Sequence, residues 1–187
     1  MAQFIKGITL KSRLAFVDQT YGRGAIDKVI PHLRGETRML VSEPLRIKAT
    51  AWYGFNLQME LDRAVCKVLA KGDSGVYRNM GAFSADYQDK QFSVRQNTDP
   101  WRLLNLIAIT YNRFFRPGRS EVIKVSDTEA TIFIHDFLSA KENCEGNMGF
   151  LKRSLEMSGA NDVEVTEPHC SARNSELPCE YHIKWHT

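Results

Sequence analysis

The chain has 187 residues, of which 43% are hydrophobic and 10% aromatic, enough for one folded domain and too apolar for a disordered one. Its 25 basic and 22 acidic residues leave a net charge of +3 with mixed signs, which gives no basis for nucleic-acid binding. No apolar run reaches the roughly 18 residues of a membrane span, and Lys6, Lys11 and Arg13 interrupt any signal-peptide core, so a reducing cytoplasm is expected.

Leu10, Leu14, Val17 and Tyr21 fall on one helical stripe, with Thr9 as the expected cap and Gly22 and Gly24 as the stop. Ile26, Val29, Ile30 and Leu33 give a second, short helical stripe disturbed by Pro31. Arg34 to Pro44 is polar and mixed and reads as a loop. Leu45 to Tyr53 reads as a short strand or an extended lead-in.

Leu57, Leu61, Ala64, Val65, Val68 and Leu69 form the apolar face of a third helix, with Met59 and Cys66 roughly opposite. Val76, Met80, Phe83 and Tyr87 make a narrow stripe on a fourth. Gly81 and Ala85 lie on another side of it, where a neighbouring helix can come close. Asp99-Pro100 is a helix start. The helix predicted over Trp101 to Phe115 is apolar almost all round, which makes it the expected central helix of the core. Arg113, Arg116 and Arg119 follow as a basic patch at its solvated end.

After Pro117-Gly118 the periodicity becomes extended. Glu121–Val125 and Thr128–Phe137 read as strands joined at Ser126-Asp127. Ser139-x-x-Glu142 has the form of a capping box for a helix carrying Cys144, Met148, Leu151 and Leu155. Asp162–Cys170 and Cys179–Trp185 complete a ββαββ unit. The expected architecture is α+β, a single domain over residues 1–187. A helical N-terminal half packs on a four-stranded antiparallel sheet.

Two places can carry function. Met59, Cys66, Met80, Phe83, Tyr87, Leu103, Tyr111 and Phe114 are more apolar groups than one packing face needs. They either fill the core or line a pocket for a hydrophobic small molecule. Cys144, Cys170 and Cys179 either pack as small hydrophobes, or hold zinc with His169, Glu142 or Glu145 as fourth ligand. Cys170 and Cys179 can alternatively pair as a disulfide. His135-Asp136 reads as polar groups at a sheet edge or as an acid–base pair. No Ser elbow, phosphate-binding glycine loop or HExxH motif occurs.

The helical portion followed by ββαββ resembles the superfamily of 4-vinyl reductases, TRAPP tethering subunits and the domain related to haem-NO-binding sensors. Cys144-Glu-Gly-Asn-Met-Gly149 is similar to that superfamily's cysteine and glycines opening the helix. Cys170, Cys179 and the strand Glu180–Trp185 are similar to its closing cysteines and last strand. Ala51–Tyr53 and Tyr77–Phe83 also resemble an uncharacterised myxobacterial family near that superfamily. The resemblance implies binding rather than turnover. It points to a bacterial sensor or carrier domain that forms a homodimer and signals through a separate partner protein, or to a dimeric scaffold without ligand. It also implies zinc on Cys144, Cys170 and Cys179. The haem-binding sensors carry a Tyr-x-Ser-x-Arg signature that this chain lacks, so no histidine is assigned as a haem ligand.

Overall fold

The computed structural model describes residues 2–92 and 98–186. Strand β1 (Phe4–Lys6) runs directly into helix α1 (Gly7–Tyr21). Thr9 lies within the first turn of α1 rather than at its cap, and its hydroxyl donates to the Lys6 carbonyl at 2.7 Å. Gly22 ends the helix with φ of 92°, a region that favours glycine. Helix α2 (Ala25–Val29) passes into a 3-10 turn at Ile30–His32, where Pro31 lacks the N–H that would continue it.

The stretch expected as a loop contains helix α3 (Gly35–Ser42). Tertiary contacts hold it where periodicity is weak. Thr37, Leu40 and Val41 are buried, and the Glu60 carboxylate accepts from the Arg34 amide (2.7 Å) and the Thr37 hydroxyl. Residues 45–53 begin in a 3-10 turn, and only their end joins β2 (Trp52–Gly54). Helices α4 (Phe55–Val68) and α5 (Gly75–Phe92) follow.

Helix α6 (Pro100–Thr110) starts as the sequence predicts. The Asp99 carboxylate accepts from the Arg102 amide at 3.0 Å. Its place differs from expectation, because it is not central: Ile109 is 72% exposed, and only Leu103, Leu104 and Ala108 are buried. It also ends early. Tyr111–Arg113 form a 3-10 turn, and β3 (Phe115–Arg116) then pairs with β1 in a small sheet of order β2-β1-β3.

The four-stranded sheet comprises β4 (Arg119–Ser126), β5 (Glu129–His135), β6 (Asn161–His169) and β7 (Cys179–His186), in the order β4-β5-β7-β6 and antiparallel throughout. Helix α7 (Lys141–Met157) joins its two halves, so the ββαββ reading holds. Alternation buries Ala130, Ile132 and Ile134 of β5 against Ile183, Tyr181 and Cys179 of β7 on one face. The capping box does not form. Ala140 is the residue at the N-cap, the Ser139 hydroxyl accepts from Asn143 (3.0 Å), and Glu142 pairs with Arg63 (2.7 Å).

Helices α5 and α7 touch backbone to backbone. A Cβ on Gly81 would stand 1.8 Å from the Gly146 carbonyl oxygen, and one on Gly149 would stand 2.0 Å from that of Arg78. Arg78–Glu145 (2.7 Å) and Arg153–Asp86 (2.9 Å) flank the crossing.

Candidate functional site

Between α1, α5, α6, α7 and the sheet lies a cavity of about 610 Å³. Leu103, Leu106 and Ile107 come from α6, Phe114 and Phe115 from the segment after it, Ile132 and Ile134 from β5, and Phe150 and Leu151 from α7. This placement explains why α6 is apolar on so many sides. One side packs, and another faces empty space rather than side chains.

Of the residues expected at a pocket, Leu103, Tyr111 and Phe114 line this cavity. Met59, Cys66, Met80, Phe83 and Tyr87 are not among its lining residues. Met59 and Met80 are buried in the core. Phe83 meets the edge of Phe16 of α1 (5.6 Å) and stacks on Tyr87 (6.2 Å), so this stripe turns toward α1 and not toward the sheet. The Cys66 thiol donates to the Asp73 carbonyl at 3.5 Å. Phe115, Ile132, Ile134 and Phe150 were not singled out in the sequence. Their strand and helix faces read there as ordinary core.

One end of the cavity is polar, with Thr9, Arg13, Gln58, Ser84 and Gln88. The Arg13 Nε lies 3.0 and 3.2 Å from the two Asp62 carboxylate oxygens. Burial pushes the Asp62 carboxyl up from its ordinary value, and the Arg13 guanidinium pulls against that rise. The sequence signal for this pair was present: Arg13 interrupts the stripe of Leu10, Leu14 and Val17, and Asp62 follows Leu61 on the apolar face of α4.

The second site is the cysteine cluster. The Cys144 sulfur lies 3.0 Å from that of Cys170 and 3.7 Å from that of Cys179. Glu167 joins them, and the four ligand atoms lie within 4.8 Å of one another. Alternation along β6 puts Glu167 on the inner face with Val163 and Val165. Its Oε1 is buried with no hydrogen-bond partner among the described residues. Such an orphaned acceptor calls for an occupant. Hydrogen bonds from Cys144 and Ser171 hold the Cys179 thiol below its ordinary value, against the rise that burial causes. Donation to Cys179 and burial push Cys144 up, and burial pushes Cys170 up.

Three sulfurs and one carboxylate suit a closed tetrahedral zinc site, whose Zn–S bonds of about 2.3 Å place sulfurs somewhat under 4 Å apart. The carboxylate beside the three sulfurs is not one of those expected as a fourth ligand. Glu142 is engaged by Arg63 (2.7 Å), Glu145 by Arg78 (2.7 Å), and His169 points to Glu180 (3.8 Å). The four cysteines are free thiols, with no Cys170–Cys179 disulfide. Cys66 stands apart from the cluster. His135 contacts Glu121 (3.3 Å), and Asp136 lies by Arg119 (3.8 Å) at the sheet margin.

The sequence profile of a family described as "protein of unknown function (DUF2378)" matches residues 90–186. No curated protein matches the chain. Solved structures resemble it over nearly its whole length. An H-NOX protein from S. oneidensis in the Fe(II)NO ligation state has a TM-score of 0.73 at 13% identity, covering 98% of this chain and 100% of that one. An oxygen-binding H-NOX domain related to soluble guanylate cyclases has a TM-score of 0.71 at 13% identity, covering 98% and 96%. A third, described as having its haem redox potential modulated through protein-induced porphyrin distortion, has a TM-score of 0.70 at 13% identity, covering 98% and 96%. The likeness supports the haem-NO-binding part of the expected superfamily as a fold. It lends no support to the 4-vinyl-reductase or TRAPP parts. No helix among the described residues is long and apolar enough to cross a membrane.

Proposed function

The chain belongs to the DUF2378 family, and we propose that it is a non-catalytic sensor or carrier domain that holds a small, largely apolar organic molecule in the cavity beneath α6. The observation that carries this reading is the cavity itself. Helix α6 and the segment after it turn Leu106, Ile107, Phe114 and Phe115 toward unfilled space. Clefts of this size, mostly apolar with a few convergent polar groups, are the usual form of a small-molecule site. Zinc on Cys144, Glu167, Cys170 and Cys179 would staple α7 to β6 and β7, a structural role that needs no open coordination position.

The similar H-NOX structures raise haem as an occupant. The residues present do not fit it. His32, His135, His169, His182 and His186 are all absent from the cavity lining, and so is every cysteine. Among the described residues, Tyr111 is the one lining residue of a type that ligates haem iron, and burial pushes its hydroxyl well above the ordinary phenol value, which disfavours the phenolate.

Native mass spectrometry of protein purified from its own host tests the reading. The expected result is one organic molecule and one zinc per chain. Protein that carries no organic molecule and takes up no neutral dye such as Nile red would overturn the binding function.

A second reading, a dimeric scaffold without ligand, rests on the exposed apolar groups Ile109 of α6 and Ile123 and Val125 of β4. It predicts a dimer in light scattering that is lost in an Ile109→Lys variant.

A further inference from the structure

We infer that the polar end of the cavity recognises a neutral oxygen acceptor (a ketone, ester, amide or hydroxyl) on an otherwise apolar molecule, through the guanidinium of Arg13. This rests on the cavity being a ligand site.

Arg13 is only 6% exposed. Its Nε is taken by Asp62, and its Nη1 donates to the Met80 carbonyl (3.2 Å) and the Ser84 hydroxyl (2.5 Å). The Ser84 hydroxyl is itself held by Ser12 (2.9 Å) and the Met80 carbonyl (2.9 Å). These bonds fix the plane of the guanidinium. Its Nη2 makes no hydrogen bond among the described residues, so a fixed pair of N–H donors is left over. Nη2 stands 3.6 Å from where a Cβ on Gly146 would be, and Arg13 and Gly146 both line the cavity. The bare backbone of Gly146 thus leaves Nη2 uncovered on the cavity side.

An N–H donor held in place at the wall of a largely apolar cavity gains most from an acceptor brought to it. The acceptor has to be neutral because Asp62 already balances Arg13. A carboxylate would set two buried anions against one cation. Most of the rest of the molecule meets apolar groups, since Leu106, Ile107, Phe114, Phe115 and Ile134 also line the cavity.

The test uses the full zinc-loaded chain and three naphthalenes of matched size: 2-acetylnaphthalene, 2-isopropylnaphthalene and 2-naphthoate. Dissociation constants come from fluorescence titration. The acetyl compound is expected to bind at least as tightly as its isopropyl isostere, despite its better hydration, and about tenfold or more tighter than the naphthoate. A Gly146→Ala variant adds a methyl whose nearest neighbours are the Arg13 Nη2 and the Tyr77 carbonyl oxygen at 3.6 Å, so it folds, and that methyl covers Nη2. The acetyl-to-isopropyl preference should fall about tenfold or more in it. It should fall equally in a paired Arg13→Met, Asp62→Leu variant, which leaves no buried charge alone. A preference unchanged in Gly146→Ala overturns the inference, as does a wild type that prefers the isopropyl compound or the naphthoate. Those outcomes leave the cavity a ligand site. Binding of none of the three by the wild type overturns the cavity reading and this one with it.

Discussion

The sulfur of Cys144 on α7 sits 3.0 Å from the sulfur of Cys170 at the end of β6, with no covalent bond between them. Two thiols brought this close, beside the Cys179 sulfur and a buried Glu167 oxygen, bring together ligand types that zinc takes, and we propose zinc there. Purified protein should carry one zinc per chain by elemental analysis. Cys170→Ala should lose it, and Glu167→Gln should weaken its affinity by a factor on the order of 10 or more. Chelation should lower Tm by roughly 10 °C, since a structural zinc contributes several kcal/mol and each kcal/mol moves Tm by a few degrees in a domain of this size. Metal-free protein with the same Tm would sink the zinc assignment.

The contact between α5 and α7 depends on two glycines and tolerates change at a third. Alanine at Gly81 or Gly149 drives a methyl into a carbonyl oxygen at 1.8 or 2.0 Å, and the backbone there cannot step aside without separating the helices. Each should destabilise the fold by about 3 kcal/mol or more. Alanine at Gly146 meets nothing nearer than 3.6 Å and should be neutral or mildly stabilising. Equal losses for all three in urea denaturation would show that the crossing is not this tight.

These contrasts mark what the sequence could convey. The small residue Gly81, away from the apolar stripe of the fourth helix, marks a close neighbour, and α7 is that neighbour. The strands of the ββαββ unit were legible because Tyr181, Ile183 and Trp185 alternate with polar residues. Helix α3 was not legible, because its capping carboxylate, Glu60, belongs to a different helix. The three cysteines could be read as a group, but Glu167 could not. A carboxylate on the inner face of a strand is identified only once the pairing of β6 with β7 fixes which face is inner. The cavity was half legible. The apolar excess of α6 showed in composition, but whether such an excess fills space or surrounds it depends on how far the helix stands from the sheet.

A side chain placed in the cavity should compete with the ligand. Ser120 of β4 lines it opposite α6, next to Ile134 across the strand pair. Ser120→Phe should fill part of the volume and reduce Nile red affinity by about tenfold or more, while Tm stays equal or rises, as expected for a void filled with apolar atoms. Unchanged dye affinity in a folded Ser120→Phe variant would place the dye elsewhere.

The Arg13–Asp62 pair should behave as a buried ion pair. Asp62→Ala alone leaves the guanidinium uncompensated and should cost about 3–5 kcal/mol, whereas Arg13→Met with Asp62→Leu should cost far less than the sum of the single changes. A double-mutant cycle by urea denaturation measures the coupling. Additive losses would mean that the two charges contribute independently.

Glu142 and Arg63 tie the start of α7 to α4 at 2.7 Å. The hydrogen bond from Arg63 holds the Glu142 carboxyl below its ordinary value. A carboxylate whose folded value is depressed adds stability above the unfolded value and loses it as pH falls through the folded one. Its place in the first turn of α7 adds a favourable interaction with the helix N-terminus, with the same sign. The Arg63 side chain is 58% exposed, so solvent screening limits the contribution to about 1 kcal/mol. Glu142→Gln should therefore lower Tm by about 2–4 °C at pH 7. The gap should begin to close as pH falls through the ordinary glutamate range and should vanish only once the depressed carboxyl of the folded state is protonated. Arg63→Ala should give a similar gap at pH 7, and adding it to Glu142→Gln should cost little more. A gap that does not change with pH across the acid range would trace the effect to packing of the side chain and not to its charge.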